Sequence, residues 1–239
     1  MKQRTQRKST EKISKMEDKT GHSRYLIAFG IFGYLLCLIA DIILEILPNG
    51  ELTWESISEK KLFIEAVQGT TPNRFAMSAV LGVSSMIFIT LGLVGISEYV
   101  NMYSKIASEI MLIGGVGSSV LGAGFHFITT TIVWILVALD GMEEAFKISE
   151  LFSSNHNLIF QINPFFYMLF SGTLLVVIVA GKTPLPRWTC VFNIAILFMI
   201  LSKFNVHGAS SIAGLLMCIG LFIFTGIFSN KKGNNKKTE

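Results

Sequence analysis

The sequence predicts an all-α membrane protein, a six-transmembrane-helix bundle with both termini on the cytoplasmic side. Three observations carry that expectation. The 239 residues are 51% hydrophobic and only 15% charged, against roughly 25% charged in an ordinary soluble domain, and mean hydropathy is +0.57. The apolar residues fall into six long, nearly uncharged runs. The Lys and Arg residues gather in the segments that an even number of crossings puts on one side. Together these exclude a soluble globular domain, a disordered chain and a disulfide-rich secreted domain.

Taken in order, the runs are Tyr25–Leu47, Phe75–Ile96, Ile110–Leu139, Leu158–Gly181, Trp188–Phe204 and Ser211–Phe228. About 20 apolar residues cross the roughly 30 Å of hydrocarbon. The first, second, fourth and sixth runs fit that length. The third is longer and calls for tilt or a projecting end. The fifth is the weakest, because its clean apolar core is only Trp188–Leu201, short enough for a re-entrant segment. Thr71-Pro72 looks like an N-cap followed by Pro at the first helical position. Asn163-Pro164 is expected to kink the fourth run. The basic stretch Lys182–Trp188 makes a tight turn with its indole at headgroup level.

Charge decides the count. With six spans, one side holds the eight bases of the N-terminal segment, Lys105, Lys182, Arg187 and the four C-terminal lysines. The other side holds Lys60, Lys61, Arg74, Lys147 and Lys203, together with the acidic groups of the two long loops. A re-entrant fifth run would put the C-terminal lysines on the wrong side. The expected location is therefore a cell membrane, with residues 1–24 a disordered basic cytoplasmic tail, 25–228 the transmembrane domain and 229–239 a second basic tail. Residues 1–24 are too polar for a signal peptide and lack a cleavage motif. Their lysines set orientation, with attachment to anionic lipid as the alternative. The two long outer loops, residues 51–66 and 140–152, read as short surface helices that cap the bundle, with a lid over an outward cavity as the alternative. Cys37, Cys190 and Cys218 all fall inside spans, so no disulfide framework is implied.

The polar residues inside the runs carry what functional signal there is. In the third run Gly114, Ser118, Gly122, His126 and Thr130 recur every four residues. Gly114, Ser118 and Gly122 read as a helix-packing stripe, which would make this the central helix. In the first run Gly30, Tyr34, Cys37, Asp41 and Glu45 share one face. Asp41 lies about 9 Å below the outer edge at 1.5 Å per residue. A charged carboxylate at the centre of a span costs about 2.5–3.5 kcal/mol, so it needs a partner or water. Arg74, snorkelling from the start of the second run, would make a structural clamp. His126, at similar depth, would make a pair that titrates near neutral pH. Structural ion pairs are the commoner outcome. Ser171, Thr173 and Asn193 read as interhelical hydrogen bonds.

Catalytic chemistry is not legible. Four His, only one of them inside a span, are too few for a membrane zinc hydrolase. No H-E-x-x-H, G-x-S-x-G, P-loop or dinucleotide glycine pattern occurs. No catalytic residue, metal site, cofactor or nucleic-acid partner is expected. Gly122-Ala123-Gly124-Phe125-His126, Asn163-Pro164-Phe165, and Lys182–Trp188 with Asn193 resemble an uncharacterised family of bacterial six-helix integral membrane proteins, over about residues 25–228. That resemblance implies the six-helix architecture and brings no activity with it.

The leading expectation is a small-solute or proton-linked transport or permeation protein. Its outward-facing polar pocket would be lined by Asp41, Glu45, Arg74, His126 and Thr130. The alternatives are a non-catalytic accessory or sensor subunit, in which those residues only hold the bundle together, and an intramembrane enzyme acting on lipid. The lipid bilayer is the one partner the composition requires. A solute, protons, another subunit or a second copy are left open.

Overall fold

Long apolar runs without interior charge form helices because a helix satisfies every backbone N–H and C=O internally. A computed structural model describes residues 2–53, 59–140 and 142–234, with the backbone alone described for 2–15 and 229–234. In chain order the elements are α1 (Lys2–Glu45), a hairpin of β1 (Ile46–Leu47) and β2 (Gly50–Glu51), and α2 (Lys60–Val67). Then come α3 (Pro72–Asn101), α4 (Lys105–Ala138), α5 (Glu143–Asn155) and α6 (Asn157–Val179). A 3-10 turn (Arg187–Phe192), α7 (Ile194–Lys203) and α8 (Ala209–Asn234) complete the chain. Among the described residues, five stretches are long and apolar enough to cross a membrane: Met16–Glu45, Pro72–Asn101, Lys105–Ala138, Asn157–Val179 and Ala209–Phe228. Their outer faces expose Phe32, Val80, Ile87, Val120 and Val176, an apolar periphery that suits lipid and not water.

Helix α1 begins at Lys2, ahead of the first apolar run, and Thr20 and Ser23 are buried. Gly95 of α3 packs against the Ser23 carbonyl, so this part of α1 has a partner. The fifth apolar run, expected as one helix over Trp188–Phe204, is broken. Asn193 divides it, accepting from the Ala195 N–H at 3.0 Å as the N-cap of α7 and donating to the Ser171 carbonyl at 2.7 Å. Asn at a cap competes with continuous helix, and the fixed φ of Pro184 and Pro186 shapes the turn before it. Elsewhere the boundaries follow the sequence closely. Pro72 sits at the first turn of α3 behind Thr71, whose side chain makes no cap bond. Ser104 caps α4, accepting from the Ala107 N–H. Pro164 lies within α6.

Neighbouring long helices run antiparallel in the order α8–α1–α3–α4–α6, so that α1, α3 and α4 each pack on two other long helices. The 3-10 turn and α7 bridge α6 back to α8. The bundle therefore has an Arg24 end, where α3 meets α4, and an Arg74 end, where the hairpin, α2 and α5 lie. Residues 180–208 leave α6 near Ser104 and Lys105 and deliver the chain to Gly208, beside Asp41. They thus run the length of the bundle. Six residues of 3-10 helix and ten of α-helix span about 27 Å at 2.0 and 1.5 Å per residue.

The closest crossing is α1 on α3, not the α4 stripe, and α4 is one station in the ring and not its hub. A Cβ built on Gly92 would lie 2.4 Å from Gly30 Cα, and one on Gly33 would lie 2.6 Å from Ile89 N. Only glycine permits such backbone contact. Two apolar clusters fill the interior. One, toward the Arg24 end, joins Tyr34, Ile89, Met111, Phe170, Leu174, Ile194 and Met217. The other, toward the Arg74 end, joins Leu47, Phe63, Phe75, Ile132, Leu136 and Ala145. The surface helices expected in the long loops are present as α2 and α5, and they pack on each other. Phe63 is fully buried and meets Phe146 edge to face, while Lys60 reaches Glu143 at 3.3 Å. The short hairpin was not expected, and Trp54 and Ile57 of the same loop lie outside the described residues.

Candidate functional site

Four helices converge on Asp41, toward the Arg74 end. Asp41 and Cys37 stand one turn apart on the same face of α1, as i,i+4 spacing requires. Ser211 of α8 donates to Asp41 Oδ2 at 2.5 Å. His126 of α4 faces the other carboxylate oxygen, with Nε2 to Oδ1 at 3.7 Å. That separation is beyond a hydrogen bond. Among the described residues, His126 Nε2 is buried with no hydrogen-bond partner, and His126 as a whole is 5% exposed. The Asp41 side chain is 13% exposed. The ring is seated by Gly82 of α3, where a Cβ would fall 1.5 Å from His126 Cδ2. The Cys37 sulfur, an Asp41 oxygen and a His126 nitrogen lie within 4.8 Å of one another.

Of the two partners expected for Asp41, the structure puts His126 opposite it and gives Arg74 a different task. Arg74 donates to the Ile43 carbonyl at 2.7 Å and the Ile46 carbonyl at 2.5 Å. The Ile43 carbonyl lies in the last turn of α1, whose final acceptors have no partner within the helix, and Ile46 opens β1, so Arg74 ties the end of α1 and the start of the hairpin to α3. Thr130 is buried, but its hydroxyl donates back to the His126 and Phe127 carbonyls of its own helix. It therefore presents no free donor to the site. The packing residues divide similarly. Gly114 lets α6 approach, with Phe170 N 2.6 Å from its built Cβ. Gly122 makes an ordinary contact with Met86, and Ser118 bonds the Gly115 carbonyl.

Glu45, one turn beyond Asp41, belongs to a second cluster at the rim. Its Oε2 accepts from the Gly208 N–H at 3.1 Å and lies 3.2 Å from His207 Nδ1. His207 Nε2 is 2.9 Å from Glu51 of the hairpin. Partial burial alone would lower the His207 pKa. The hydrogen bonds and negative charge of Glu51 and Glu45 outweigh it and hold the imidazole above its ordinary value of 6.5. Sequence reading missed His207 as a partner of Glu45, because the two are 162 positions apart and no local pattern joins them. It placed Cys37 on the face of the first run that carries Asp41, but gave it no part in the site.

A furrow of about 640 Å³ lies elsewhere, between α4 and α6 at the Arg24 end. Ile110, Leu169 and Val176 line it, and Ser104 and Lys182 stand at its rim. The polar cluster therefore does not sit in this opening.

A family model described as a family of unknown function (DUF6796) matches residues 16–225. No curated protein and no solved structure matches the chain.

Proposed function

We propose, for a chain that belongs to this family of unknown function, a multi-pass protein of the cell membrane that passes a small cation, or a solute carried with one, through the Asp41–His126 site. The chain crosses six times with both termini in the cytoplasm. Residues 180–208 make the crossing that the five long helices leave out, and the Arg74 end faces outward. The distribution of Lys and Arg favours that orientation. An outward His207, Glu45 and Glu51 form an acidic vestibule one turn above Asp41. The carrying observation is Asp41 itself, a carboxylate within a span whose partners are the Ser211 hydroxyl and His126. Neither is a fixed cation, and intramembrane carboxylates of this kind mark ion and substrate paths.

Purified protein in liposomes, with an imposed gradient of protons or of a divalent cation, provides the test. Wild-type protein is expected to dissipate one of the gradients, and Asp41→Asn and His126→Gln to abolish the flux. Leak no greater than that of empty liposomes in every gradient overturns the reading. Topology is tested separately with Lys182→Cys and Lys203→Cys in a background without the native cysteines. A membrane-impermeant maleimide on intact cells should label position 203 and reach position 182 only after permeabilisation. Equal labelling of both would remove the sixth crossing.

A second reading, an accessory or sensor subunit without transport, draws on the closed contact of α2 with α5. Phe63 against Phe146 and Lys60 against Glu143 seal that end.

A further inference from the structure

We infer that Cys37, Asp41 and His126 form a binding site for a borderline-soft divalent transition ion, Zn²⁺ being the ion that fits best. This deepens the preceding reading by naming the ligand class of the same site, and it rests on that reading only for the location of the site. The three donor atoms come from two helices and already lie within 4.8 Å of one another. A tetrahedral Zn²⁺, with bonds of about 2.0–2.3 Å, needs donor separations of roughly 3.3–3.8 Å. The His126–Asp41 pair, at 3.7 Å, is within about 0.4 Å of the separation a nitrogen–oxygen pair takes on a tetrahedral ion. A rotation of the Cys37 side chain supplies the rest.

The second, independent observation is His126 Nε2, buried and unpartnered among the described residues and aimed at the carboxylate. A buried imidazole nitrogen without a partner forfeits the hydrogen bond it would make in water, and a metal ion takes such a nitrogen as a neutral donor. Gly82 holds the ring where that nitrogen points, because no other residue leaves room for it.

The donor set also selects the ion. Thiolate, imidazole and carboxylate suit Zn²⁺, whereas Ca²⁺ and Mg²⁺ take oxygen shells. Charge closes the argument. A Cys37 thiolate and an Asp41 carboxylate carry two negative charges, which Zn²⁺ cancels with His126 neutral. The loaded site is then neutral, which removes the cost of an isolated charge within a span. Loading releases the thiol proton of Cys37 to water. Ser211 holds the second carboxylate oxygen and orients the ligand from outside the shell. Three protein ligands leave the fourth position for water or a passing ligand.

The test is equilibrium binding on the tag-free, full-length protein in detergent. After dialysis against Zn²⁺ and desalting, one Zn²⁺ per chain is expected. Co²⁺ in its place should give a thiolate-to-cobalt charge-transfer band in the near ultraviolet. Cys37→Ser should abolish the band, and Asp41→Asn and His126→Gln should each weaken binding at least about tenfold, since loss of a ligand exceeds the 10–100-fold typical of its outer-shell partners. His207→Gln should leave binding intact. Should Cys37→Ser fail to fold, the Cys190→Ser/Cys218→Ser pair decides, because it must retain the band. Absence of stoichiometric metal, a band that survives Cys37→Ser or vanishes in the Cys190/Cys218 pair, or binding lost in His207→Gln overturns the inference. Binding without flux in liposomes would sink the transport reading and leave this site standing. Flux without metal binding would do the reverse.

Discussion

Gly82 and His126 are fitted to one another, since a methyl group on Gly82 would overlap the imidazole at 1.5 Å from Cδ2. Gly82→Ala should therefore expel the ring or spread α3 from α4. The expected loss is about 1–3 kcal/mol, the usual cost of overpacking, read as a lower melting temperature in detergent. Gly172 is the control, because nothing lies within 4 Å of its built Cβ. Gly172→Ala should hold or slightly raise the melting temperature, as helix propensity favours Ala. Equal behaviour of the two variants would mean that the ring is not seated on Gly82.

Arg74 is satisfied by carbonyls and not by Asp41, so the two residues should separate in mutagenesis. Arg74→Lys keeps the charge but not a fork that reaches two acceptors. It should cost about 1.5–3 kcal/mol, the worth of a hydrogen bond to a charged group. Asp41→Asn keeps an oxygen for the Ser211 hydroxyl and removes a charge from the span, so its melting temperature should stay level or rise. A large drop in Asp41→Asn together with a harmless Arg74→Lys would contradict both assignments.

At the Arg74 end, the apolar contact should outweigh the ion pair. Phe63 is fully buried, and Phe63→Ala should cost about 3–5 kcal/mol. Lys60 and Glu143 are 48% and 63% exposed, and breaking so exposed a pair should cost at most about 1 kcal/mol. Limited proteolysis of the 59–67 segment reports the same ranking, with Phe63→Ala cut faster than Lys60→Ala.

His207 makes the stability of this end depend on pH. Its pKa is raised in the folded state by Glu51 and Glu45 against the opposing effect of burial, so the protonated form is favoured by folding. The contribution is complete below the unfolded value near 6.5 and fades as pH rises through the higher folded value. The melting-temperature difference between wild type and His207→Gln should therefore be largest in mild acid and shrink on the alkaline side of neutrality. A difference that grows with pH would reverse the sign and remove the bridge.

The parts of the fold readable in advance were those set by composition and spacing. Long, nearly uncharged apolar runs mark the five helices long enough to span, with ends within about five residues of those observed except at the start of α1, because backbone satisfaction in lipid admits few alternatives. The break at Asn193 was not visible, since its cap bond is local while the Ser171 carbonyl that holds it comes from another helix. The α1–α3 crossing has its trace in Gly30, Gly33, Gly92 and Gly95, of which Gly30 and Gly92 meet each other while Gly33 meets Ile89 and Gly95 meets Leu26. The sequence pointed to Asp41 and His126 through depth alone. It missed what Arg74 does, because a long cation near a helix end reaches carbonyls as readily as carboxylates. It also missed the grouping of Cys37 with both, which required knowing which faces of α1 and α4 meet.

Helix α1 is fastened lengthwise at two points by two neighbours. Near one end Arg24 reaches the Phe222 carbonyl of α8 at 3.2 Å and lies over the Phe222 ring. At the other end Arg74 of α3 holds the Ile43 and Ile46 carbonyls. A shift of α1 along its own axis by one turn, about 5.4 Å, would break both fastenings at once and leave two cations stranded. Helices α8, α1 and α3 are thereby keyed against axial slip, while the three grouped donors ride on two helices, Cys37 and Asp41 on α1 and His126 on α4.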